Sequence, residues 1–418
     1  MTEARWPRIW LLTETYVPVI GGGETQARAL AKGLTEAGLV TSIVTRRSDP
    51  ALAPEETVDR SKVHRLGPSG PGHLKKWAML PGLAIFLLRR RLDYDLLLVC
   101  GYRVMGIAAV PVAGLLGKVC ALKADNNGEM SGAYFDAGAA RLGLARGRRL
   151  MGALISIRNR LLRRADAFVS LSSDIRAELL CGGIAADVIH DIPNSVDTQR
   201  FRPVDAATRI ELRRQLGLPA DGPLVIFSGR LMRSKGVLEL AQVWRELAPR
   251  FPAAHLVIVG SGRGLMHDCE DELRAFIDDQ GISATVTLTG FVDNVEAYLQ
   301  AADVFAFPTT EEAFGIALIE AMACGLAAVA SRLGGIKDIL TDGVDGLFME
   351  SGDPVALKAA LIRLLDDEAL RARLGAAAIR TVQERYTTDA VIGRYAELLQ
   401  TLHDIRSKPM AAATGPPF

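Results

Sequence analysis

The sequence predicts an α/β protein with two doubly wound domains, and three observations support this fold class. The chain has 418 residues, which is too long for one ordinary hydrophobic core. Apolar strand candidates alternate with helical stretches in both halves, a pattern typical of parallel sheets. Residues 1–200 hold 27 Lys and Arg against 19 Asp and Glu, a balance of +8, whereas residues 201–418 carry −7. Halves of opposite charge indicate two domains with different partners.

Composition narrows the class of protein. A hydrophobic content of 49% with 23% charged residues is typical of a globular chain. The five cysteines are scattered without a C-x-x-C pair, which argues against a disulfide framework or zinc site and favours a reducing compartment. The first residues lack a signal-peptide pattern, so we expect a cytoplasmic location. The apolar runs 77–88 and 104–117 are too short to span a membrane and predict buried helices.

The first domain is expected to cover residues 1–197. A buried strand at 8–15 precedes Gly21, Gly22 and Gly23, and a helix is predicted at 25–37. Glycines between a strand and a helix let the backbone approach a phosphate, although they could equally form a tight turn. The pattern is neither a Walker A motif nor G-x-G-x-x-G, so a dinucleotide-binding enzyme is disfavoured. Further strands are predicted at 40–45, 62–66, 95–100, 119–123, 167–172 and 188–193.

The second domain is expected to cover residues 198–385. Strands are predicted at 223–230, 255–260, 285–288, 304–307, 326–330 and 346–349, with helices between them. A further helix is predicted at 386–406. The tail 407–418 is small, polar and rich in proline, so we expect it to be disordered.

The segment 308–325 is the most informative part of the chain. An apolar strand stops at Pro308, and a helix is predicted from Ile316 to the glycine at 325. Glu312 precedes this helix and Glu320 lies within it. Because a buried charge without a partner is costly, Glu320 faces solvent, caps a neighbour, or accepts hydrogen bonds from a polyhydroxylated ligand. If both carboxylates bind hydroxyls and the helix N-terminus between them binds an anion, the ligand resembles a nucleotide sugar.

Two cations follow the first strand of the second domain. Arg230 and Lys235 stand five residues apart on a strand-to-helix loop, where they could converge on one diphosphate. The alternative is an exposed basic turn.

These motifs resemble a known family. Glu312 and Glu320 stand in EAFG-x4-EAMA-x-G, which resembles the donor-site signature of retaining glycosyltransferase family 4 of the GT-B superfamily, also called glycosyl transferases group 1. The Gly-Arg-Leu-x3-Lys-Gly segment at 229–236 resembles its phosphate-clamping loop, and Pro-x-x-Gly-Gly at 18–22 its glycine loop. The resemblance implies two Rossmann-like domains facing a central cleft, with the last helix crossing back to the first domain.

The resemblance also implies roles for individual residues. Arg230 and Lys235 would neutralise the leaving diphosphate, Glu312 would bind the donor sugar, and Glu320 would accept hydrogen bonds from the ribose. The remaining donor contacts are expected from Gly22, Gly23, Gly229, Gly262, Phe291, Val292, Phe314, Gly315 and Ile316. The family reacts on the front face of the sugar without a protein nucleophile, and we expect no metal or other cofactor. We accordingly predict that Asp93 and Asp95, formally an Asp-x-Asp motif, lie on a solvated connection.

The acceptor site is less clearly indicated. Many members of the family have a histidine at the end of a first-domain strand, but residues 122–129 contain none. Asp125, Asn126 or Glu129 would then orient the acceptor hydroxyl. The alternative is an Asn-Gly turn without a catalytic role.

Residues 141–164 form the most basic part of the chain, with eight arginines and no acid. Apolar residues recur among them at helical spacing. The segment is either a solvated helix face or a contact with anionic phospholipid or a phosphorylated acceptor. It lacks interleaved aromatic residues, so a nucleic-acid partner is not expected.

The sequence therefore predicts a retaining glycosyltransferase that uses a nucleotide-sugar donor and a lipid-linked or saccharide acceptor, peripheral on the inner face of the membrane. Two alternatives stay open: another GT-B activity such as nucleotide-sugar epimerisation, and a catalytically inactive, membrane-associated donor-binding scaffold.

Overall fold

A computed structural model describes residues 6–19, 21–70, 73–132, 148–264 and 267–407 of the protein. The chain forms two compact units. The first unit ends at Pro193 and resumes at Val391, and the second is Asn194–Ala390. The domain boundaries suggested by the sequence were 197 and 385. The predicted tail lies outside the described residues except for Ser407, which is helical rather than part of a tail.

The first unit is an α/β unit. Its strands are β1 (Ile9–Thr13), β2 (Thr41–Arg46), β3 (Glu55–Val58), β4 (Ser61–Leu66), β5 (Leu96–Cys100), β6 (Val119–Lys123), β7 (Ala167–Ser170) and β8 (Ile189–Asp191). Its helices are α1 (Gly22–Glu36), α2 (His73–Arg89), α3 (Tyr102–Leu115), α4 (Arg148–Leu162) and α5 (Ser173–Cys181), with a 3-10 turn at Ala186–Val188. The strand order is β3-β4-β2-β1-β5-β6-β7-β8.

The second unit repeats this architecture. Its strands are β9 (Leu224–Ser228), β10 (His255–Val259), β11 (Val286–Gly290), β12 (Val304–Phe307), β13 (Ala327–Ser331) and β14 (Leu347–Met349), in the order β11-β10-β9-β12-β13-β14. Its helices are α6 (Ala206–Gln215), α7 (Val237–Leu247), α8 (Glu270–Asp279), α9 (Val295–Ala301), α10 (Ile316–Ala323), α11 (Ile336–Ile339), α12 (Pro354–Asp366) and α13 (Glu368–Arg385). Short 3-10 turns lie at Arg233–Lys235 and Ser283–Thr285. The last helix, α14 (Thr388–Ser407), begins here and continues into the first unit.

Both sheets are predominantly parallel, and their central strands are buried along their whole length. Every residue of β1, β5 and β6 is buried, as is every residue of β9, β10 and β12, because helices cover both faces of each sheet. The last helix completes the core of the first unit through Val391, Ile392 and Tyr395. Ile392 fills the space above Gly33 of α1, where an added Cβ would lie 2.5 Å from its side chain.

The structure corrects several local predictions. Helix α1 begins at Gly22 rather than at residue 25, so two of the glycines belong to its first turn. Strand β3 was not predicted; it pairs antiparallel with β4 at the edge of the sheet. The connection before β5 is solvated only in part: Asp93 is exposed, whereas Tyr94 is fully buried, and Asp95 pairs with Arg8 at 2.7 Å, which lowers the pKa of that carboxyl to about 2.

The basic segment 141–164 is only partly described, since residues 141–147 lie outside the described residues. Helix α4 covers most of the remainder, and its Arg158 is buried, where it donates hydrogen bonds to the carbonyl oxygens of Glu129 and Met130. One arginine of the predicted solvated face is therefore a structural residue. In the described part of the chain, no helix is both long enough and apolar enough to cross a bilayer.

Candidate functional site

The predicted donor residues follow the two central strands of the second sheet. The chain runs from β9 outward to β10 and β11, and then returns to β12 on the other side of β9. Ligands of doubly wound sheets bind beyond the carboxyl ends of the strands at such a reversal point. The loop after β9 carries Arg230 and Lys235, and the loop after β12 carries Glu312. The topology therefore places these two loops side by side.

Lys235 and Glu312 form an ion pair at this point. The Nζ of Lys235 lies 2.8 Å from Oε2 of Glu312 and 3.2 Å from the carbonyl oxygen of Glu311. The two paired side chains are only 14% and 18% exposed. Among the residues that the structure describes, the Oε1 atom of Glu312 has one long contact, 3.5 Å from the backbone nitrogen of Phe314. One carboxylate oxygen is therefore occupied by the lysine, and the other is available to a ligand.

The ion pair depends on a close approach between the two loops. Gly236 adopts a left-handed conformation with φ of +69°, and a Cβ there would lie 2.0 Å from the carbonyl oxygen of Pro308. The carbonyl oxygen of Ser234 accepts hydrogen bonds from Thr309 Oγ1 at 2.9 Å and from the backbone nitrogen of Thr310 at 2.8 Å. Glycine at 236 is thus required by both the backbone conformation and the space.

A second close approach shapes the N-terminus of α10. Gly315 precedes this helix with φ of +113°, and Ile316 is its first residue. A Cβ on Gly334 would lie 1.8 Å from the carbonyl oxygen of Glu312, and one on Gly335 would lie 2.6 Å from Cα of Phe314. Two further glycines therefore hold the Glu312 loop against the chain that follows β13.

Arg230 and Glu320 lie on the same two connections but are not joined to this pair. Arg230 is exposed, and its guanidinium has no hydrogen bond or ion pair within the described ranges, although its carbonyl oxygen accepts a hydrogen bond from the backbone nitrogen of Met232 at 2.9 Å; Gly229 before it has φ of +154°. Desolvation of the Glu320 carboxyl raises its pKa to about 7, while nearby Arg200 opposes this rise. No hydrogen bond to the Glu320 side chain is found among the residues described. The structure therefore unites two of the four predicted charged residues.

The other predicted donor residues lie on neighbouring loops. Phe291 is 57% exposed and, like Val292, follows β11, whereas Gly262 follows β10. The sequence did not reveal that a buried acid fixes the β10 loop: Glu270 accepts hydrogen bonds from Ser261 Oγ at 2.6 Å and from the backbone nitrogen of Gly262 at 3.1 Å. Glu270 looks like an ordinary acidic residue in a helix first turn, so its sequence context carries no signal of this role.

In the first unit, Gly22 and Gly23 form the first turn of α1. An acidic side chain that was not predicted to lie here stands beside the N-terminus of this helix. The carboxylate of Glu24 folds back beside Gly21 and accepts a hydrogen bond from Thr15.

The predicted acceptor residues follow β6. Asp125 pairs with buried Lys123, whereas Asn126 is exposed. Glu129 is 1% exposed, and its Oε1 accepts hydrogen bonds from the backbone nitrogens of Asp125 and Asn126, each at 3.2 Å. Asp125 and Glu129 are thus held together, with Glu129 beneath the loop.

Metal-ligating side chains do not cluster in the part of the chain that the structure describes. All five cysteines are free. The absence of a metal requirement stays a prediction.

Comparison with known proteins decides the family. A model of the glycosyl transferases group 1 matches residues 208–381, and a model of glycosyltransferase family 4 matches residues 20–200. The chain belongs to glycosyltransferase family 4. The match at 208–381 lies in the second unit, and the match at 20–200 lies mostly in the first, so both parts of this family 4 protein are accounted for. The resemblance inferred from its motifs is confirmed.

Individual relatives agree with this assignment. The family 4 protein is 35% identical over 231 residues to D-inositol 3-phosphate glycosyltransferase of Xylanimonas cellulosilytica, a match that spans 54% of this chain and 54% of that relative. It is 28% identical over 381 residues to D-inositol 3-phosphate glycosyltransferase 1 of Catenulispora acidiphila, covering 86% of each. The chain thus spans only about half the length of the first relative.

The fold is confirmed by a solved structure. Sucrose-phosphate synthase from Thermosynechococcus elongatus superimposes with a TM-score of 0.79 over 95% of this chain and 100% of its own, at 24% identity. This likeness supports the GT-B class, with two Rossmann-like units in an α/β chain.

Proposed function

We propose that the protein is a retaining glycosyltransferase that transfers a sugar from a nucleoside-diphosphate donor to a hydroxyl group of an acceptor. The observation that carries this proposal is the Lys235–Glu312 pair at the reversal point of the second sheet, 2.8 Å apart. A cation beside a carboxylate suits a ligand whose diphosphate adjoins a sugar, since the cation binds phosphate and the carboxylate binds hydroxyls. Exposed Arg230, on the same loop as Lys235, would supply a second cation.

The proposed reaction follows from these groups. The bond between the anomeric carbon and the diphosphate oxygen breaks, and its electron pair leaves with the nucleoside diphosphate. The acceptor oxygen forms the new bond on the same face of the sugar, and its proton passes to the departing diphosphate. Lys235 and Arg230 stabilise the negative charge that develops there, which lowers the barrier without a metal ion. Glu312 and Glu320 hold the sugar and ribose hydroxyls.

We propose a lipid-linked or saccharide precursor as acceptor. Two of the relatives are named for D-inositol 3-phosphate, which supports a polyhydroxylated and anionic acceptor. The positive balance of the first 200 residues favours the same class of ligand.

Isothermal titration in EDTA with UDP, GDP and ADP tests donor binding. One nucleotide should bind, and Lys235→Ala should weaken it by at least about tenfold, since a charge-assisted phosphate contact contributes about 1.5–3 kcal/mol. Lys358→Ala is the matched control, because Lys358 pairs with Glu246 on the surface of the same unit. Failure of all three nucleotides to bind would contradict the proposal. NMR of the product anomer tests retention, and an acceptor-free incubation that yields an epimerised donor would indicate the epimerase alternative.

We also propose that helix α4 contacts an anionic membrane. Leu154 and Ile157 are 53% and 66% exposed and stand three residues apart on one helix face, with exposed Arg160 a further three residues on. Sedimentation with vesicles of phosphatidylcholine, with and without phosphatidylserine, tests this contact. The pellet of the Leu154→Ser/Ile157→Ser variant should be depleted with anionic vesicles. Leu115→Ser, which changes another exposed leucine of the first unit, should sediment normally. A wild-type protein that stays in the supernatant would contradict membrane binding.

A further inference from the structure

The first sheet has a reversal point of its own. Strand β1 lies between β2 and β5; the chain moves outward through β2, β4 and β3 on one side and then continues through β5 on the other. The loops after β1 and β5 therefore flank the place where a doubly wound sheet binds its ligands. These loops contain Gly23, in the first turn of α1, and Gly101, which precedes α3 in a left-handed conformation with φ of +64°.

One side chain reaches this point from the neighbouring strand. Asp125 follows β6, and its Oδ2 atom lies 3.1 Å from the position of a Cβ on Gly101 and 3.9 Å from the position of one on Gly23. Both positions are empty because both residues are glycine. The other carboxylate oxygen, Oδ1, is held by the ammonium group of Lys123. Asp125 is 15% exposed at its side chain, so Oδ2 lies in a partly enclosed space between two backbone segments.

Two buried groups fix the orientation of Asp125. The ammonium of Lys123 is 4% exposed and forms an ion pair with Oδ1, so the aspartate cannot rotate without leaving a buried charge unpaired. Glu129 anchors the backbone through its Oε1 atom, while its Oε2 atom is buried without a hydrogen-bond partner among the described residues. Burial, together with the nearby charge of Asp125, raises the pKa of Glu129 to about 8.

We propose that Asp125 orients the acceptor through Oδ2 by accepting a hydrogen bond from a hydroxyl beside the attacking one, and that Lys123 and Glu129 are the positioning residues that hold Asp125 in place. This inference rests on the proposed transferase function and assigns one residue to its acceptor step. A carboxylate oxygen with a fixed orientation accepts one hydrogen bond from this neighbouring hydroxyl and thereby sets the position of the attacking oxygen, whose own proton can pass to the departing diphosphate. The assignment separates three candidates that the sequence left equal: Asp125 contacts the acceptor, Glu129 acts through Asp125, and the backbone nitrogen of exposed Asn126 donates a hydrogen bond to Glu129.

The test compares full-length variants in three assays. The first follows transfer from UDP-, GDP- and ADP-sugars to D-inositol 3-phosphate, and to a lipid extract in a second arm. The second measures hydrolysis of the same donor by water, and the third measures nucleoside-diphosphate affinity by titration. Asp125→Asn should lower kcat/KM for the acceptor by about 10- to 100-fold, while hydrolysis and nucleotide affinity stay within about twofold. Asp187→Asn is the matched control, because it changes an exposed acid of the same unit.

A double variant distinguishes loss of function from loss of folding. The Asp125→Asn substitution leaves Lys123 buried beside a neutral amide, whereas the Lys123→Met/Asp125→Asn double variant removes both members of the pair. Its melting temperature should stay near that of the wild type, and its transfer should be as low as that of Asp125→Asn. In contrast, Lys123→Met alone keeps the carboxylate and should raise acceptor KM more than it lowers kcat.

The outcomes are distinguishable. If Asp125→Asn and the double variant fold and transfer at the wild-type rate, the assignment of Asp125 is wrong while the proposed function stands. If donor hydrolysis falls in parallel with transfer, Asp125 is merely structural. A wild-type protein that binds no nucleotide and transfers to neither acceptor overturns the proposed function, and the assignment of Asp125 with it.

Discussion

The Glu312→Gln substitution separates two roles of Glu312: its ion pair with Lys235 and its proposed hydrogen bond to the donor sugar. In the wild-type protein, Lys235 donates a hydrogen bond of 2.8 Å to Oε2 of Glu312, and within the described ranges Oε1 has only the 3.5 Å contact with the backbone nitrogen of Phe314. An amide has one oxygen and one NH2 group. If its oxygen faces Lys235, the NH2 group faces the ligand; if the oxygen faces the ligand, the NH2 group faces the lysine. Either orientation loses one of the two interactions of the carboxylate.

The magnitude follows from counting these contacts. Only Oε1 is available to the donor sugar, so the substitution removes one charge-assisted hydrogen bond, about 1.5–3 kcal/mol, or roughly 10- to 150-fold in affinity. The nucleoside diphosphate without its sugar makes no contact with Oε1. Lys235 loses a competing carboxylate and keeps its charge, so the affinity for the nucleoside diphosphate should stay equal or rise. We therefore expect the substitution to lower the ratio of sugar-nucleotide affinity to nucleoside-diphosphate affinity.

Titration calorimetry with matched pairs of ligands measures this ratio. UDP with UDP-glucose, and GDP with GDP-mannose, would each be titrated into wild type, Glu312→Gln and Glu311→Gln. Glu311 is the control, because it is the adjacent residue of the same loop and its side chain is exposed. If Glu312→Gln weakens the nucleoside diphosphate as much as the sugar nucleotide, the carboxylate acts by holding Lys235 or the loop, and its assignment to the sugar is refuted.

Three further outcomes are expected. Gly236→Ala should lower nucleotide affinity at least about tenfold and reduce the melting temperature, because its Cβ would meet the carbonyl oxygen of Pro308. Gly217 also has a positive φ, +66°, but no atom lies within 4 Å of its Cβ position, so Gly217→Ala should lower the free energy of unfolding by only about 1 kcal/mol. Equal effects of the two variants would contradict the close approach to Pro308. Nucleotide affinity should rise by up to about tenfold between pH 6 and 8 as Glu320, with its pKa of about 7, ionises, and Glu320→Gln should abolish this rise in calorimetry. Because the pKa of Glu129 is about 8 in the folded protein against an ordinary value of 4.5, stability should fall as pH rises from 4.5 to 8, by up to about 1.4 kcal/mol per pH unit. Thermal unfolding of Glu129→Gln should lack this slope, and a constant difference from wild type would show that Glu129 ionises freely.

Much of the fold was readable from the sequence because its strands are short apolar runs between turn signals. Strands β6 and β12 have the predicted bounds, and α10 starts at the predicted Ile316. Strand β3 was missed for a physical reason: its four residues alternate between exposed and half-exposed positions and carry two glutamates, so no apolar pattern marks it. An antiparallel edge strand of this kind is stabilised by pairing with its neighbour rather than by burial.

The chemistry of the site was less readable than its location. Local motifs drew attention to Lys235 and Glu312, yet nothing in the sequence showed that the two would pair with one another. Similarly, buried Lys123 and Glu270 look like ordinary charged residues, because burial and partners are tertiary properties. Glycines in the sequence indicate tertiary contacts only indirectly. Gly236 and Gly334 are needed because a backbone carbonyl oxygen lies where their Cβ atoms would be.

The order of the strands in each sheet explains how motifs that are distant in sequence come together. Lys235 and Glu312 are 77 residues apart, and they meet because β12, rather than a strand adjacent in sequence, completes the pairing of β9. In the first unit, β5 pairs with β1 by the same kind of return, which places the loops holding Gly23 and Gly101 together beside Asp125. Both reversal points therefore gather a carboxylate, a lysine and close backbone approaches, although the two sets of residues share no motif. One topological rule locates both sets of residues, so the position of Asp125 is argued without the donor motifs, while its role rests on the proposed transferase function. An Asp125→Asn variant that transfers at the wild-type rate would overturn the assignment of Asp125 and leave the donor assignments intact.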